Sequence, residues 1–319
     1  MAHLNPLADG GRDRAQLIIV SAFALGVLFV ALALILNSAI FTENLASRGE
    51  TTGGEDVVTY EDALERGVGD VLTYENTNVT TTTVSHGTLE TRVTTATRDI
   101  NSVLVRRNAR TGATSTATVD SKLDGTLIRQ NATANFTNNE SDADWELVSS
   151  VDRTRAFTMN VTGANSSCTR FTSCFTLIVD NGADWELSIN NTTGGFVVAV
   201  DNGSGTATCG PVNEPSVTVD VTGGTFGGRP CPAMNFSEAP DSGYEIEYEN
   251  ADEITGTYSL VVDDAGLSSP PLPDDYASTI TEDPFATPAL YSVNVTFDYQ
   301  TADVNYNSTV RVAPGEPDA

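Results

Sequence analysis

The longest apolar segment of the chain is Leu17–Leu36, LIIVSAFALGVLFVALALIL, which contains no charged residue. A helix rises 1.5 Å per residue, so twenty residues span about 30 Å, which is the thickness of the hydrocarbon core of a bilayer. Most of these residues are Leu, Ile, Val or Phe, each of which favours insertion by roughly 0.3 to 0.6 kcal/mol. The pattern therefore predicts one transmembrane helix over residues 16–36.

Two stretches after this run have the spacing of amphipathic helices. Apolar residues recur every three or four positions from Val57 to Val71, and again from Leu89 to Leu104. We therefore predict a helical stalk region over residues 37–112. We expect both apolar stripes to pack on the rest of the domain, and contact with a partner helix or a filament is the alternative.

From Thr114 onward the apolar period changes from 3.6 to 2 residues, as in Tyr291–Tyr299. Asp-Gly and Asp-Asn-Gly sequences between such runs supply the positive-φ positions that tight hairpins need. Many short strands joined by turns indicate an antiparallel sheet or sandwich. The strand candidates are 114–119, 126–130, 145–151, 155–162, 175–180, 184–190, 195–201, 216–221, 244–248, 256–263, 290–299 and 305–312.

These patterns together predict an α+β fold class. It has an N-terminal transmembrane helix and a helical stalk, followed by a mainly antiparallel β ectodomain over residues 113–312. Residues 313–319, APGEPDA, are predicted to form a disordered tail.

Acidic residues dominate the charge: 43 Asp and Glu stand against 16 Lys and Arg, for a net charge of −27. Lys122 is the only lysine. This charge excludes binding to nucleic acid or to anionic membranes through basic patches. In molar salt the screening length falls to about 3 Å, so dense carboxylates repel one another little. The composition resembles that of extremely halophilic archaea, and an ordinary acidic secreted protein is the alternative.

The four cysteines, Cys168, Cys174, Cys209 and Cys231, all lie in the second half of the chain. An even count suggests two disulfides, and four cysteines allow three connectivities. We predict Cys168–Cys174 and Cys209–Cys231, because each pair is local and spans a turn-rich stretch. A zinc site is the competing interpretation, but the cysteine spacings do not match the usual C-x2-C pairs and only two histidines are available.

The residues before the apolar run, Arg12-Asp13-Arg14-Ala15-Gln16, carry the most specific motif. Followed directly by an apolar helix, they resemble the class III leader of archaeal type IV pilin-like proteins. The longer run around them resembles a group of haloarchaeal pilin-like membrane proteins of unknown role. Many such pilins have Glu at the fifth mature position, where this chain has Val20. A secretory signal peptide, cut after Ala39 or Ala46, and an uncleaved anchor are the alternatives.

The resemblance implies that a prepilin-type peptidase cuts between Ala15 and Gln16, so that residues 1–15 form a cytoplasmic leader. It also implies other pilin-like subunits as partners. The positive residues before the apolar run place the N terminus in the cytoplasm and the C-terminal domain outside. The predicted location is therefore the cell membrane, crossed once, with the lipid bilayer as a partner.

N-x-S/T sequons are more frequent than the roughly five that chance predicts, and all of them follow the apolar run. A Thr-rich composition that inflates the count is the alternative to an N-glycosylated ectodomain. The candidate glycosylation sites are Asn78, Asn131, Asn135, Asn160, Asn294 and Asn307. The remaining sequons are at Asn139, Asn165, Asn190, Asn191, Asn202 and Asn235.

The sequence ADWEL occurs twice, at 143–147 and 183–187, and contains both tryptophans of the chain. Two related strands that each bury a tryptophan explain it, and so do two exposed rings that stack on sugars. Residues 180–186 offer several oxygens of the kind that bind calcium, although a hairpin turn with solvated carboxylates has the same residues.

Catalytic motifs such as G-x-S-x-G and H-E-x-x-H do not occur, so we predict no enzyme and no cofactor. A hydrolase with paired carboxylates stays open, because its two acids come together only in the fold. The leading interpretation is a membrane-anchored cell-surface structural or interaction protein that resembles a type IV pilin or minor pilin. The alternative is an anchored extracellular binding module for glycans or cations, with a β-sandwich-like domain.

Overall fold

The computed structural model describes residue 29 and residues 54–79, 81, 84–182, 185–240, 242–269 and 272–317. The chain divides into two compact units, Met1–Thr59 and Tyr60–Ala319. Of the described residues, 45% lie in strands and 22% in helices. The predicted α+β class is therefore wrong, because the described part of the chain is mainly β.

Within residues 54–317 two α-helices precede the strands: residues 54–77 are helical and form α1, and α2 is His86–Asn108. The side chain of Ser85 caps α2 by accepting a hydrogen bond from the Thr88 backbone N–H. The strands are β1 (Thr114–Asn135), β2 (Trp145–Val151), β3 (Thr154–Ala164), β4 (Phe175–Asp180), β5 (Trp185–Thr192), β6 (Gly195–Asp201), β7 (Thr206–Val212), β8 (Val217–Asp220), β9 (Thr225–Phe226), β10 (Arg229–Pro230), β11 (Tyr244–Glu249), β12 (Ile254–Val262), β13 (Phe285–Gln300) and β14 (Asn305–Val312).

The strands form two antiparallel sheets. Sheet A has the order β10-β9-β8-β3-β12-β1-β13-β14, and sheet B has the order β2-β11-β4-β5-β6-β7. Alternate residues of both sheets, such as Phe157 and Met159 in β3 and Leu177 and Val179 in β4, meet in one buried cluster. The two sheets therefore pack face to face as a sandwich, and the antiparallel arrangement predicted from the period of 2 is confirmed.

β1 is one long strand where the sequence predicts two strands and a turn. It pairs with β13 from Thr114 to Arg129, with register shifts on either side of Lys122. At Gly125 a Cβ atom would lie 2.3 Å from the backbone oxygen of Val262. Gly125 therefore lets two backbones approach closely, and the predicted turn does not form.

The helices pack on β1 and β13 of sheet A. The ring of Tyr60 in α1 lies 5.4 Å from the Phe297 ring and 5.5 Å from the Tyr299 ring. In α2, Leu89 and Val93 are buried. From Tyr60 onward both apolar stripes thus lie against sheet A, so that the described residues of 60–108 form a helical layer on this sheet within the second unit.

The disulfides Cys168–Cys174 and Cys209–Cys231 are both present, with the predicted pairing. The first closes the loop between β3 and β4. The second joins β7, at the edge of sheet B, to the residue that follows β10, at the edge of sheet A. It therefore links the two layers of the sandwich at one side.

The predicted single-pass membrane location needs correction. No helix in the described ranges is long and apolar enough to cross a bilayer. The predicted span itself, residues 16–36, lies outside those ranges except for Phe29, which is helical. The leader residues Ala15 and Gln16 also lie outside them, so leader processing stays a prediction.

Candidate interaction surface

The ladder of β1, β13 and β14 has one helix-covered face and one exposed polar face. On the exposed face Asn307 donates from Nδ2 to Asp298 Oδ1 at 2.7 Å, and the hydroxyls of Thr296 and Thr309 lie 2.6 Å apart. These pairs follow the strand register, because Asp298 lies opposite Asn307 and Thr296 lies opposite Thr309. The face is therefore held by neutral and charge-assisted hydrogen bonds between neighbouring strands.

β14 forms the edge of sheet A. It pairs with β13 over its whole length, from Asn305 to Val312, and it is last in the strand order. Arg311 is its only charged residue. The side chain of Tyr306 is 38% exposed and its ring lies 5.8 Å from that of Phe297. Within the described ranges no strand pairs with the outer side of β14, which thus offers a nearly uncharged strand edge of eight residues, of which only Val312 is buried.

The other three edge strands of the two sheets are short or covered. β10 has two residues, one of them Pro230. β7 contains Pro211 and the disulfide-bonded Cys209. On β2 the hydroxyl of Tyr276 donates to the backbone oxygen of Leu147. Natural sheets protect their edges by such means, so β14 is the exception among the four described edges.

A groove of about 1100 Å³ lies where β14 ends, between α1, residues 236–244 and the segment 311–317. Two of the three arginines that line it form salt bridges, and the third, Arg153, lines it together with the carboxylates of Glu65, Asp70 and Asp152. Arg311 pairs with Glu316, and Arg66 lies 3.8 Å from Asp62. The groove therefore presents no concentrated charge of either sign.

Arg155 is buried next to this groove, and within the described part of the chain its guanidinium bonds to backbone oxygens rather than to a carboxylate. Its guanidinium donates to the backbone oxygens of Tyr291, at 2.7 Å, Pro314, at 2.8 Å, and Leu290, at 3.0 Å. Burial lowers the pKa of Arg155 to about 10, which leaves it charged at neutral pH. Three carbonyl dipoles therefore compensate one buried positive charge.

The segment 313–317, predicted as part of a disordered tail, is bonded to the sandwich. The Ala156 backbone N–H donates to the Gly315 oxygen at 2.8 Å, and the Tyr291 hydroxyl donates to Glu316 Oε1 at 2.9 Å. Burial alone would raise the pKa of Glu316, but hydrogen bonds from Arg311 and Tyr291 outweigh it and lower that pKa. The ionised Glu316 carboxylate thus holds the segment in place.

The outer face of sheet B is acidic. Carboxylate oxygens of Glu146, Glu245 and Glu247 lie within 4.8 Å of one another, a spacing at which they could hold a cation. The six strands of this sheet contain no lysine or arginine. Burial, followed by the charges of its acidic neighbours, raises the pKa of Glu247. Exposed acidic groups of this kind are common without an ion, and no further group in the described residues points to one here.

Neither tryptophan offers a ring for stacking on sugars. Trp145 is 7% exposed and donates from Nε1 to the Phe136 oxygen at 2.9 Å. Trp185 is 1% exposed and packs against Phe236 at 5.5 Å between ring centroids. The repeated ADWEL sequence therefore marks two buried strand positions, which leaves the glycan-binding interpretation without its aromatic platform.

The candidate glycosylation sites differ in the hydrogen bonds and the exposure of their side chains. The amide nitrogens of Asn78, Asn294 and Asn307 donate to other groups of the protein. Five candidates are exposed, and Asn294 alone of the six is half-buried; the exposed ones are Asn78, Asn131, Asn135, Asn160 and Asn307. Glycosylation at any of the six stays a prediction.

Comparison with known proteins finds no family model that matches this chain, and no curated protein or solved structure that is significantly similar to it.

Sequence reasoning predicts a strand over 305–312 but misses its place at the open edge. The lack of acidic residues in β14 is no signal of an edge, because β3, β7 and β12 also contain none. Sequence reasoning also places Arg155 at the start of a predicted strand without a role. The residues that pair with Arg155 are more than a hundred positions away in sequence, so no local pattern could reveal them.

Proposed function

We propose that this chain is a structural or interaction protein whose β-sandwich binds other polypeptides through the edge strand β14. The observation that carries the proposal is the open edge itself, eight residues long and with Arg311 as its only charge. An unpaired strand edge presents a row of backbone donors and acceptors to which an extended strand can add.

Two further observations agree with a structural role. One disulfide, Cys209–Cys231, links the two sheets and the other closes a loop, which suits a rigid building block that folds in an oxidising compartment. The resemblance of residues 12–36 to a pilin leader also favours a subunit that assembles with others.

Site-specific photo-cross-linking tests this function. The photoreactive amino acid p-benzoylphenylalanine is placed instead of Tyr306, at the open edge, or instead of Tyr74, which is 63% exposed on α1 and serves as the matched control. The full chain is then irradiated in the cells that make it. We expect polypeptide adducts at position 306 well above those at position 74. Equal or absent adducts at the two positions would contradict a function exercised through β14.

A further inference from the structure

We infer that the strand added to β14 is β14 of a second copy of this chain, in antiparallel pairing centred on Ser308. This inference rests on the proposed function and names its partner. Two copies related by a two-fold axis would each present the same strand, which is the usual geometry of a homodimer.

Charge is the first reason for a second copy at this edge. Each chain has a net charge of −27, so most surfaces of two copies repel each other. Residues 305–310, NYNSTV, contain no charged group. β14 contains no Asp or Glu, so none of its side chains would bring a carboxylate to the contact, and its one charge, Arg311, is positive.

The order of side chains in β14 is the second reason, because it is self-complementary about Ser308. In an antiparallel pair centred there, Tyr306 of each copy lies opposite Val310 of the other, and Asn307 lies opposite Thr309. An aromatic residue opposite a β-branched one, and two hydrogen-bonding residues opposite each other, are pairs that each contribute roughly 0.2 to 1 kcal/mol. The exposed Tyr306 ring would thereby gain apolar cover from Val310.

The edge is also prepared for pairing within one copy. Tyr306 already packs on Phe297, while Asn307 and Thr309 are already held by hydrogen bonds to β13. Side chains that are fixed before association lose less rotamer freedom when the partner strand is added. Because the contact uses the same edge of both copies, it closes at two chains and leaves no β14 edge open.

Cysteine scanning tests the register. All four native cysteines are disulfide-bonded, so a single introduced cysteine is the only thiol. Ser308→Cys, Asn307→Cys and Thr309→Cys are made in the full chain, kept dispersed by a mild non-ionic detergent in molar salt. Opposite residues have Cβ atoms about 4.5–5.5 Å apart, close to the separation that a disulfide spans.

After mild oxidation, we expect Ser308→Cys to run at twice the mass on a non-reducing gel. Asn307→Cys and Thr309→Cys should stay single alone but cross-link when mixed, because they face each other across the two-fold axis. A dimer band for Asn307→Cys or Thr309→Cys alone, or none for Ser308→Cys, overturns the inferred pairing.

A charge variant checks that the contact, and not the apolar residues 17–36, joins the copies. Ser308→Lys puts two positive charges opposite each other and should weaken dimerisation at least tenfold in sedimentation equilibrium. Thr118→Lys, an exposed position on β1 of the same sheet, is the control and should leave it unchanged. A dimer that survives Ser308→Lys overturns the inference.

The photo-cross-linking experiment distinguishes failure of this inference from failure of the proposed function. If photo-adducts at position 306 contain only other proteins, the second copy is excluded while the interaction function stands. If no adducts form, both the inference and the proposed function fail.

Discussion

Arg155 shows how one residue ties the end of the chain to the sandwich. A buried charge is tolerated only when hydrogen bonds replace its lost hydration. Here the partners are backbone oxygens of β13 and of Pro314, so Arg155 joins β3 to two parts of the chain that follow it much later. The arginine fork suits this task, because its planar donors can reach several acceptors at once.

Arg155→Leu should lower the free energy of unfolding by about 3 kcal/mol, because it removes the Arg155 donor from the backbone oxygens of Tyr291 and Pro314. The Leu290 oxygen, by contrast, keeps the donor of Asn76. Urea denaturation in molar salt measures this loss. Arg153→Leu, two residues away and exposed, is the matched control and should change stability by less than about 0.5 kcal/mol. Equal effects of the two changes would contradict the role assigned to Arg155.

Glu316 makes the attachment of the C-terminal segment dependent on pH. Its pKa is lowered in the folded chain, so its contribution is present above the ordinary glutamate pKa of 4.5 and is lost as the pH falls below it. Glu316→Gln should therefore be less stable than the wild type at pH 7, and the difference should shrink between about pH 5 and pH 3.

Urea midpoints at several pH values test this dependence, with the exposed Glu282→Gln as control. A difference between wild type and Glu316→Gln that stays constant down to pH 3 would show that ionisation of this carboxylate has no part in the attachment.

At the scale of the element, the two sheets differ in the charge of their exposed surfaces. Sheet A ends in an edge with hardly any charge, whereas sheet B carries carboxylates next to each other, such as Glu146 opposite Glu247. Like charges on opposite residues of neighbouring strands destabilise a sheet. The acidic face therefore depends on screening by salt, and the edge strand does not.

Glu247→Gln should stabilise the protein in low salt by a few tenths of a kcal/mol to about 1 kcal/mol, because it removes repulsion at the most crowded carboxylate. The raised pKa of Glu247 agrees with this expectation, because it shows that the fold disfavours the ionised carboxylate. The stability of the wild type therefore falls as the pH rises through that pKa. In molar salt the gain should largely vanish.

Thermal unfolding at about 0.1 M and 3 M NaCl measures the gain, and Glu140→Gln, on an exposed loop, is the control. The same gain at both salt concentrations, or in both variants, would exclude repulsion at this face as its cause.

At the scale of the whole molecule, local patterns predict elements better than they predict their partners. The alternation of Phe157, Met159 and Val161 predicts their burial correctly, because one face of a strand meets the core whatever strand lies beside it. The turn predicted at Gly125 is wrong, because the sequence does not distinguish a glycine needed for close backbone approach from one needed for a turn. The position of β14 at an edge depends on the order of eight strands, most of them distant in sequence, so the candidate interface could not be predicted from its own residues.

The disulfides give a last prediction at this scale, because only one of them joins the two sheets. A cross-link restricts the unfolded chain more when it closes a longer loop. Cys209–Cys231 spans 22 positions and Cys168–Cys174 spans 6. Replacing both cysteines of Cys209–Cys231 by serine should therefore cost about 3 kcal/mol of unfolding free energy. The same replacement at Cys168–Cys174 should cost about 2 kcal/mol.

Hydrogen exchange then shows whether Cys209–Cys231 stabilises the protein by holding the two sheets together or by restricting the unfolded chain. If Cys209–Cys231 clamps the sandwich, its loss should increase exchange in both β7 and the β8–β9 edge of sheet A, while loss of Cys168–Cys174 should affect only the loop before β4. Exchange that rises uniformly over both sheets would instead place the effect of Cys209–Cys231 in the unfolded chain.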